Sequence, residues 1–269
     1  PAKFTYDAVK ECADAGVKHV QIITSGFSEV GEVELENKIV EYANSKGTRI
    51  LGPNIFGVFS SSGNFNSTFS ATDILRGNVA ILTQSGALGI AMIGKTAVDN
   101  MGLSAIVSIG NKADLDEADC LEYIIQDRET NVVLMYIEGV KNGEKFIEAA
   151  REASKVKPIV VLKSGRSARG AMAAASHTGS LAGADEIFDA VAKQSGLLRA
   201  ESLEEAFNWC KFLASAPKPK GKNSVIVTNG GGIGVMATDA CEKYGVDLYD
   251  DQIVLKEVFG PATPDFGST

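Results

Sequence analysis

Asn78-Val79-Ala80-Ile81-Leu82-Thr83-Gln84-Ser85-Gly86-Ala87-Leu88-Gly89 is an unbroken apolar run that gives way to amide, hydroxyl and glycine residues before apolar residues resume at helical spacing. A short aliphatic run without alternation predicts a strand buried on both faces. The small polar turn that ends it predicts a helix N-terminus. Strand, tight turn and helix is the unit of a parallel sheet, and it recurs downstream. Apolar strands are predicted over 79–83, 105–109, 132–137 and 159–162. Helical patterns follow over 88–98, 118–125, 144–153, 185–193 and 203–213. The predicted fold class is therefore α/β, with parallel sheets covered by helices.

Upstream, Phe4, Ala8, Val9 and Cys12 predict a helix, 20–24 a strand, Leu35, Ile39 and Tyr42 or Ala43 a second helix, and 49–51 a strand running into Gly52-Pro53-Asn54. Because a doubly wound domain ordinarily opens on a strand, an N-terminal piece is expected to precede this sequence. The stretch 57–77, rich in Ser, Asn, Gly and Thr, is read as an ordered surface loop and a domain boundary. Downstream, Pro217-Lys218-Pro219-Lys220-Gly221-Lys222 reads as a linker. Beyond it, a strand over 225–228, a Gly230-Gly231-Gly232 turn and a helix over 235–244 predict a further unit, only begun. The expected domains are 1–76, 77–216 and 217–269.

The 269 residues are 45% hydrophobic and 22% charged, a composition that excludes disorder over most of the chain. The net charge of -8 argues against nucleic acid or an anionic membrane as the main partner, so an anionic ligand has to be held locally. No apolar run approaches the roughly 20 residues of a membrane span, and the expected compartment is the cytoplasm. Cys12, Cys120, Cys210 and Cys241 are scattered without a Cys-x-x-Cys pair and read as core thiols. With only His19 and His177 present, no multi-histidine metal centre is expected.

Three loops of glycine and small polar residues lead into helices: 83–89, 176–183 and 228–234. Each would gather backbone N–H groups and the positive end of a helix dipole at one point, a cradle for phosphate. The candidate contacts are Ser85 and Gly86, then Thr178, Gly179 and Ser180, then Gly230, Gly231 and Gly232. Such turns also build parallel sheets without any ligand. Only the second contains a side chain able to attack phosphorus at neutral pH, His177, whose imidazole is able to form a phosphoramidate. A capping or packed histidine is the alternative. His177 needs a group to fix its tautomer, and Glu138, just past a buried strand, is the candidate; a surface carboxylate at a strand end is equally compatible with the local sequence. Asp114, Asp116, Glu117 and Asp119 are read as dipole-stabilising acids without a site role, and His19 as structural. Lys163 and Arg166 are either counter-charges for phosphate or solvated.

The run Ala173-Ala174-Ala175-Ser176-His177-Thr178-Gly179-Ser180-Leu181-Ala182-Gly183 resembles the phosphohistidine loop of the NDP-forming acyl-CoA synthetases, in particular the α subunit, or corresponding domains, of ADP-forming acetyl-CoA synthetase. Succinyl-CoA synthetase is a more distant relative. Residues 77–89 are similar to the opening of that family's ligase domain, Ile137-Glu138-Gly139 to the place of the glutamate that orients the histidine, and Asn229-Gly230-Gly231-Gly232-Ile233-Gly234 to a second phosphate-facing helix start. Ser25-Gly26-Phe27-Ser28-Glu29 and Gly52-Pro53-Asn54 look like the later half of its CoA-binding domain. The resemblance implies Rossmann-like and flavodoxin-like domains in tandem, CoA contacts at Ser25, Gly26 and Asn54, and transfer of phosphate through an acyl phosphate and phospho-His177. It also implies ADP or ATP with Mg2+ on an ATP-grasp module outside this chain, as a β subunit in a hetero-oligomer or within a dimer of fused chains. Two departures stand out: the front of the CoA domain is absent, and Ile55 replaces the Cys often found after Gly-Pro-Asn.

Two other readings compete. A ligand-sensing module of a protein acetyltransferase fusion would be marked by loss of the histidine, which is present. A nicotinamide-dependent oxidoreductase would use the last glycine turn with Asp247 as its ribose acid, but no acid–base pair accompanies it.

Overall fold

The computed structural model describes residues 1–70, 73–167, 169–170, 172–173, 185–217 and 219–262. They divide into two compact units, Pro1–Ala216 and Pro217–Thr269, meeting at the predicted linker.

The first unit holds two sheets. The smaller pairs β1 (His19–Gln21) in parallel with β2 (Arg49–Leu51), backed by α1 (Thr5–Asp14) and α2 (Val33–Ser45). Val9, Ile22, Phe27, Ile39, Ala43 and Ile50 form its core, the helical ones at the spacing read from the sequence. The larger sheet contains β3 (Val58–Ser60), β4 (Phe65–Asn66), β5 (Arg76–Thr83), β6 (Leu103–Ser108), β7 (Val132–Ile137), β8 (Ile159–Lys163) and β9 (Leu198–Arg199). Its seven strands run in the order β4-β3-β6-β5-β7-β8-β9. From β6 to β9 all neighbours are parallel. The crossovers are α3 (Gly86–Val98), α4 (Glu117–Ile124), α5 (Gly143–Val156) and α6 (Asp185–Gln194), with α7 (Leu203–Ser215) closing the unit. The five parallel strands thus have the flavodoxin-like arrangement, in which the chain starts at β5, steps one way to β6 and then the other way to β7, leaving a switch point between the ends of β5 and β7.

The aliphatic run that predicted a doubly buried strand is one. Ala80 and Leu82 of β5 face Val133, Met135 and Ile137 of β7 and the helices α4, α5 and α6, while Val79 and Ile81 join Val132, Leu134 and the helices α3 and α7 on the opposite face. α3 lies so close to the sheet that a Cβ on Gly89 would sit 2.8 Å from Thr83 Cγ2 and from Phe56 Cζ. Glycine suits this close approach, since the Phe56 ring that a Cβ would strike is itself fully buried.

Two sequence readings need correction. The stretch 57–77 is not only a loop: β3 and β4 form a hairpin that pairs antiparallel onto β6 at the sheet edge. Its polar composition reflects the exposed edge and a turn in which Asn64 takes a positive φ of 46°. In the second unit, 225–228 forms no ladder. Among the described residues of this unit an isolated β-bridge joins Ser224 to Leu248 in parallel, and the helices are α8 (Gly231–Tyr244) and α9 (Gln252–Phe259). Each of the four cysteines lies on a helix; Cys120 and Cys210 are buried, Cys12 and Cys241 partly so. No helix among the described residues is long and apolar enough to cross a membrane.

Candidate functional site

At the switch point, β5 ends in a turn that folds upon itself. Thr83 Oγ1 accepts from Ser85 N–H at 3.2 Å and donates to Ser85 O at 2.9 Å. Ser85 becomes the N-cap of α3, its Oγ accepting from Leu88 N–H at 3.3 Å. The first backbone N–H groups of a helix have no partner within it, so the turn presents Gly86 and Ala87 amides at the positive end of α3. Between Thr83 and Ser85, Gln84 turns inward. Its Oε1 accepts from the N–H groups of Glu138 and Gly139 at 2.9 and 3.3 Å, and its own N–H donates to Tyr136 O at 3.0 Å. The end of β5 thereby fixes the end of β7 at the residue that the sequence nominates.

Glu138 is 6% exposed. Oε1 accepts from Tyr136 Oη at 3.2 Å, whereas Oε2, although buried, has no hydrogen-bond partner among the described residues. Burial raises the Tyr136 phenol, so it remains a donor across the neutral range. A buried carboxylate oxygen without a donor carries a desolvation cost that a ligand or a further side chain would relieve.

The third wall comes from the loop after β6. Gly110 meets the backbone of Pro53 and Asn54 so closely that a Cβ there would clash. Asn111 N–H donates to Pro53 O at 3.0 Å, Ala113 N–H to Gly52 O at 2.9 Å and Leu115 N–H to Ile50 O at 3.1 Å, strapping the small sheet to the large one. Asp114 seals the strap by accepting from Arg49 Nε and Ile50 N–H. From this strap the Asn111 amide reaches Ser28, Glu29 and Glu36 and accepts from Asn54 Nδ2 at 3.3 Å. Burial opposes ionisation of Glu29, but the Gly26 amide and Asn111 outweigh it and hold its carboxyl below the usual range. Lys112, at a positive φ of 56°, points into the protein and pairs with Glu117 at 3.0 Å, both side chains 2% exposed.

These walls enclose a cleft of about 440 Å³ lined by Ser28, Asn54, Ser85, Gly86, Asn111, Glu138 and Lys141, among others. Of the predicted site residues, Ser85, Gly86, Glu138 and Asn54 share this one cleft. Ser25 and Gly26 do not line it; they stand before the short helical turn Ser28–Val30, where Gly26 N–H donates to Glu29. In the second unit Gly230 caps α8, and Gly231 and Gly232 have open space where a Cβ would lie. Its turn repeats the construction of the first: Thr228 Oγ1 accepts from Gly230 N–H at 3.1 Å. His177, Thr178, Gly179 and Ser180 lie outside the described residues.

The acidic cluster is only in part what the sequence suggests. Asp116 and Asp119 form a capping box on α4, but Asp114 is the strap's anchor and Glu117 is buried against Lys112. Lys163 is not solvated: it is buried, donates to Ser164 O, and burial lowers its pKa. Arg166 is committed to Glu201 and Asp185. The sequence reading missed Ser28, Glu36, Asn111 and Lys141 in the cleft. The unusual Gly110-Asn111-Lys112 step beyond a strand end was the one available signal for the strap.

Residues 76–213 match the family described as succinyl-CoA ligase like flavodoxin domain. Over 270 residues the chain is 55% identical to the α subunit of acetate–CoA ligase (ADP-forming) I of Pyrococcus furiosus, covering 100% of this chain and 58% of that protein. To acetate–CoA ligase (ADP-forming) I of Archaeoglobus fulgidus it is 43% identical over 272 residues, which are 99% of this chain and 39% of the relative. The solved structure of dinucleotide forming acetyl-coenzyme A synthetase 1 of Ca. Korarchaeum cryptofilum, in complex with phosphate and ADP, matches with a TM-score of 0.93 at 47% identity over 100% of this chain and 58% of that one. The chain thus spans less than two thirds of the length of these relatives. With the flavodoxin-like strand order and a full-length likeness of this strength, the chain belongs to the succinyl-CoA ligase-like flavodoxin-domain family and is a homologue of the α subunit of ADP-forming acetate–CoA ligase.

Proposed function

We propose that this chain carries the acyl-phosphate and phosphohistidine chemistry of an NDP-forming acyl-CoA synthetase. Inorganic phosphate attacks the acyl-CoA carbonyl, the C–S bond breaks, and CoA leaves as the thiol, giving an acyl phosphate. An imidazole nitrogen of His177 then takes the phosphoryl group, with P–N forming as P–O breaks and the carboxylate departing. The phosphohistidine finally delivers the group to ADP, with P–O forming as P–N breaks. The observation that carries the reading is the open, buried Oε2 of Glu138 beside the amides that start α3. The ring N–H of His177 is assigned to that oxygen, which fixes the tautomer and leaves the other nitrogen as nucleophile. Ser85 and Gly86 are assigned to the phosphoryl oxygens, where preorganised N–H donors stabilise transferring charge.

Thr178, Gly179 and Ser180 share that task in the proposal, and Gly230, Gly231 and Gly232, built like the α3 turn, receive a phosphate-binding role. CoA is assigned to Ser25, Gly26 and Asn54. ADP or ATP, with Mg2+, is placed on an ATP-grasp module outside this chain. In support, one relative is named as a subunit and another as a whole ligase of which this chain covers 39%. The cytoplasm is the proposed compartment. Neither the sensing-module nor the nicotinamide reading gains support, since the relatives bear the names of CoA ligases.

The test is to incubate the full-length protein and its nucleotide-binding partner with labelled ATP and Mg2+, comparing native protein with His177→Ala. Acid-labile, alkali-stable label present in the native protein and absent from the variant is expected. Equal labelling of both contradicts the proposal.

A further inference from the structure

Lys141 stands three residues beyond Glu138, in the loop between β7 and α5, and lines the same cleft. Its ammonium donates to Lys112 O at 3.0 Å. The side chain of Lys112 is itself buried and held by Glu117 and Gly139 O. Among the described residues no carboxylate lies within ion-pair distance of Lys141, unlike Lys145, which meets Asp116 and Asp119 a few residues on. The acids nearby are committed elsewhere: Glu36 accepts from Ser28 and Asn111, and Glu117 faces Lys112. Burial lowers the Lys141 pKa, with the neighbouring Lys112 charge acting in the same direction, against the opposing longer-range pull of Glu36, Glu117 and Asp116.

A cation held in place, without a directly paired carboxylate among the described residues and opening on a cleft that also receives the start of α3, is matched to a ligand with several anionic oxygens. We propose that Lys141 is a substrate-binding residue that contacts the phosphate oxygens of inorganic phosphate and of the acyl phosphate held at Ser85 and Gly86. This deepens the function proposed above and rests on it. The ammonium would supply charge that the backbone amides lack.

The complete enzyme, assayed from acyl-CoA, inorganic phosphate and ADP, should show KM for phosphate raised about tenfold or more in Lys141→Met, the loss expected for one charge-assisted hydrogen bond. Lys141→Arg should recover part of it. A native enzyme that labels at His177 while Lys141→Met keeps the native KM overturns this inference alone. Absence of label in the native enzyme overturns the proposed function instead. Independently of any variant, reductive methylation of the native protein read by mass spectrometry should slow at Lys141, and not at Lys193, when inorganic phosphate is added. Equal rates at Lys141 with and without phosphate also overturn the inference.

Discussion

Gln84 does more at the residue scale than any motif would suggest, because a single side-chain oxygen satisfies both Glu138 N–H and Gly139 N–H. In Gln84→Ala two buried donors lose their partner, and the expected cost is about 1–3 kcal/mol of stability. A denaturant titration checks this, and the same variant should transfer phosphoryl groups more slowly because Glu138 is no longer held. Gly89 makes a second test. In Gly89→Ala the new Cβ meets Thr83 and the buried Phe56 ring, so α3 has to move off the sheet at a cost of about 1–3 kcal/mol, read as a lower thermal midpoint. Gly89→Ala should also weaken phosphate binding, since displacement of α3 displaces the Gly86 amide.

At the scale of elements, α4 illustrates how local chemistry sets a boundary. Asp116 accepts from Ala118 and Asp119 N–H, and Asp119 accepts from Asp116 N–H in return. Burial opposes ionisation of Asp119, but Lys145 and the Asp116 amide outweigh it and hold its carboxyl below the usual range. A depressed carboxyl stabilises the fold above its unfolded pKa and ceases to do so as pH falls through the folded value. The stability difference between native protein and Asp119→Asn should therefore be about 1 kcal/mol at neutral pH and shrink below about pH 4, measured by urea unfolding across that range. The four central strands of the large sheet, β5 to β8, were legible because doubly buried strands read as aliphatic runs, as at 79–83 and 132–137, whereas the two-residue edge strand β9 was not. β3 and β4 were not, because three and two residues at an exposed edge carry too few apolar side chains to form a pattern.

On the scale of the whole molecule, the candidate site arises where distant parts of the chain meet at one switch point. Ser85 and Glu138 were readable because each follows a strand that the sequence announces. Asn111 and Lys141 were not, since their position depends on the strap that joins the two sheets through Gly110, Asn111 and Asp114. A composition of -8 net charge also hides a local cation: Lys141 becomes visible only when its acidic neighbours are seen to be paired with other groups. The central claim is that the open oxygen of Glu138 holds the imidazole that carries the phosphoryl group. It is tested most directly by the single-turnover rate at which acyl phosphate phosphorylates the full-length protein, native against Glu138→Gln, both first shown to be folded. The account predicts a rate about a hundredfold lower in the variant. An unchanged rate would contradict it.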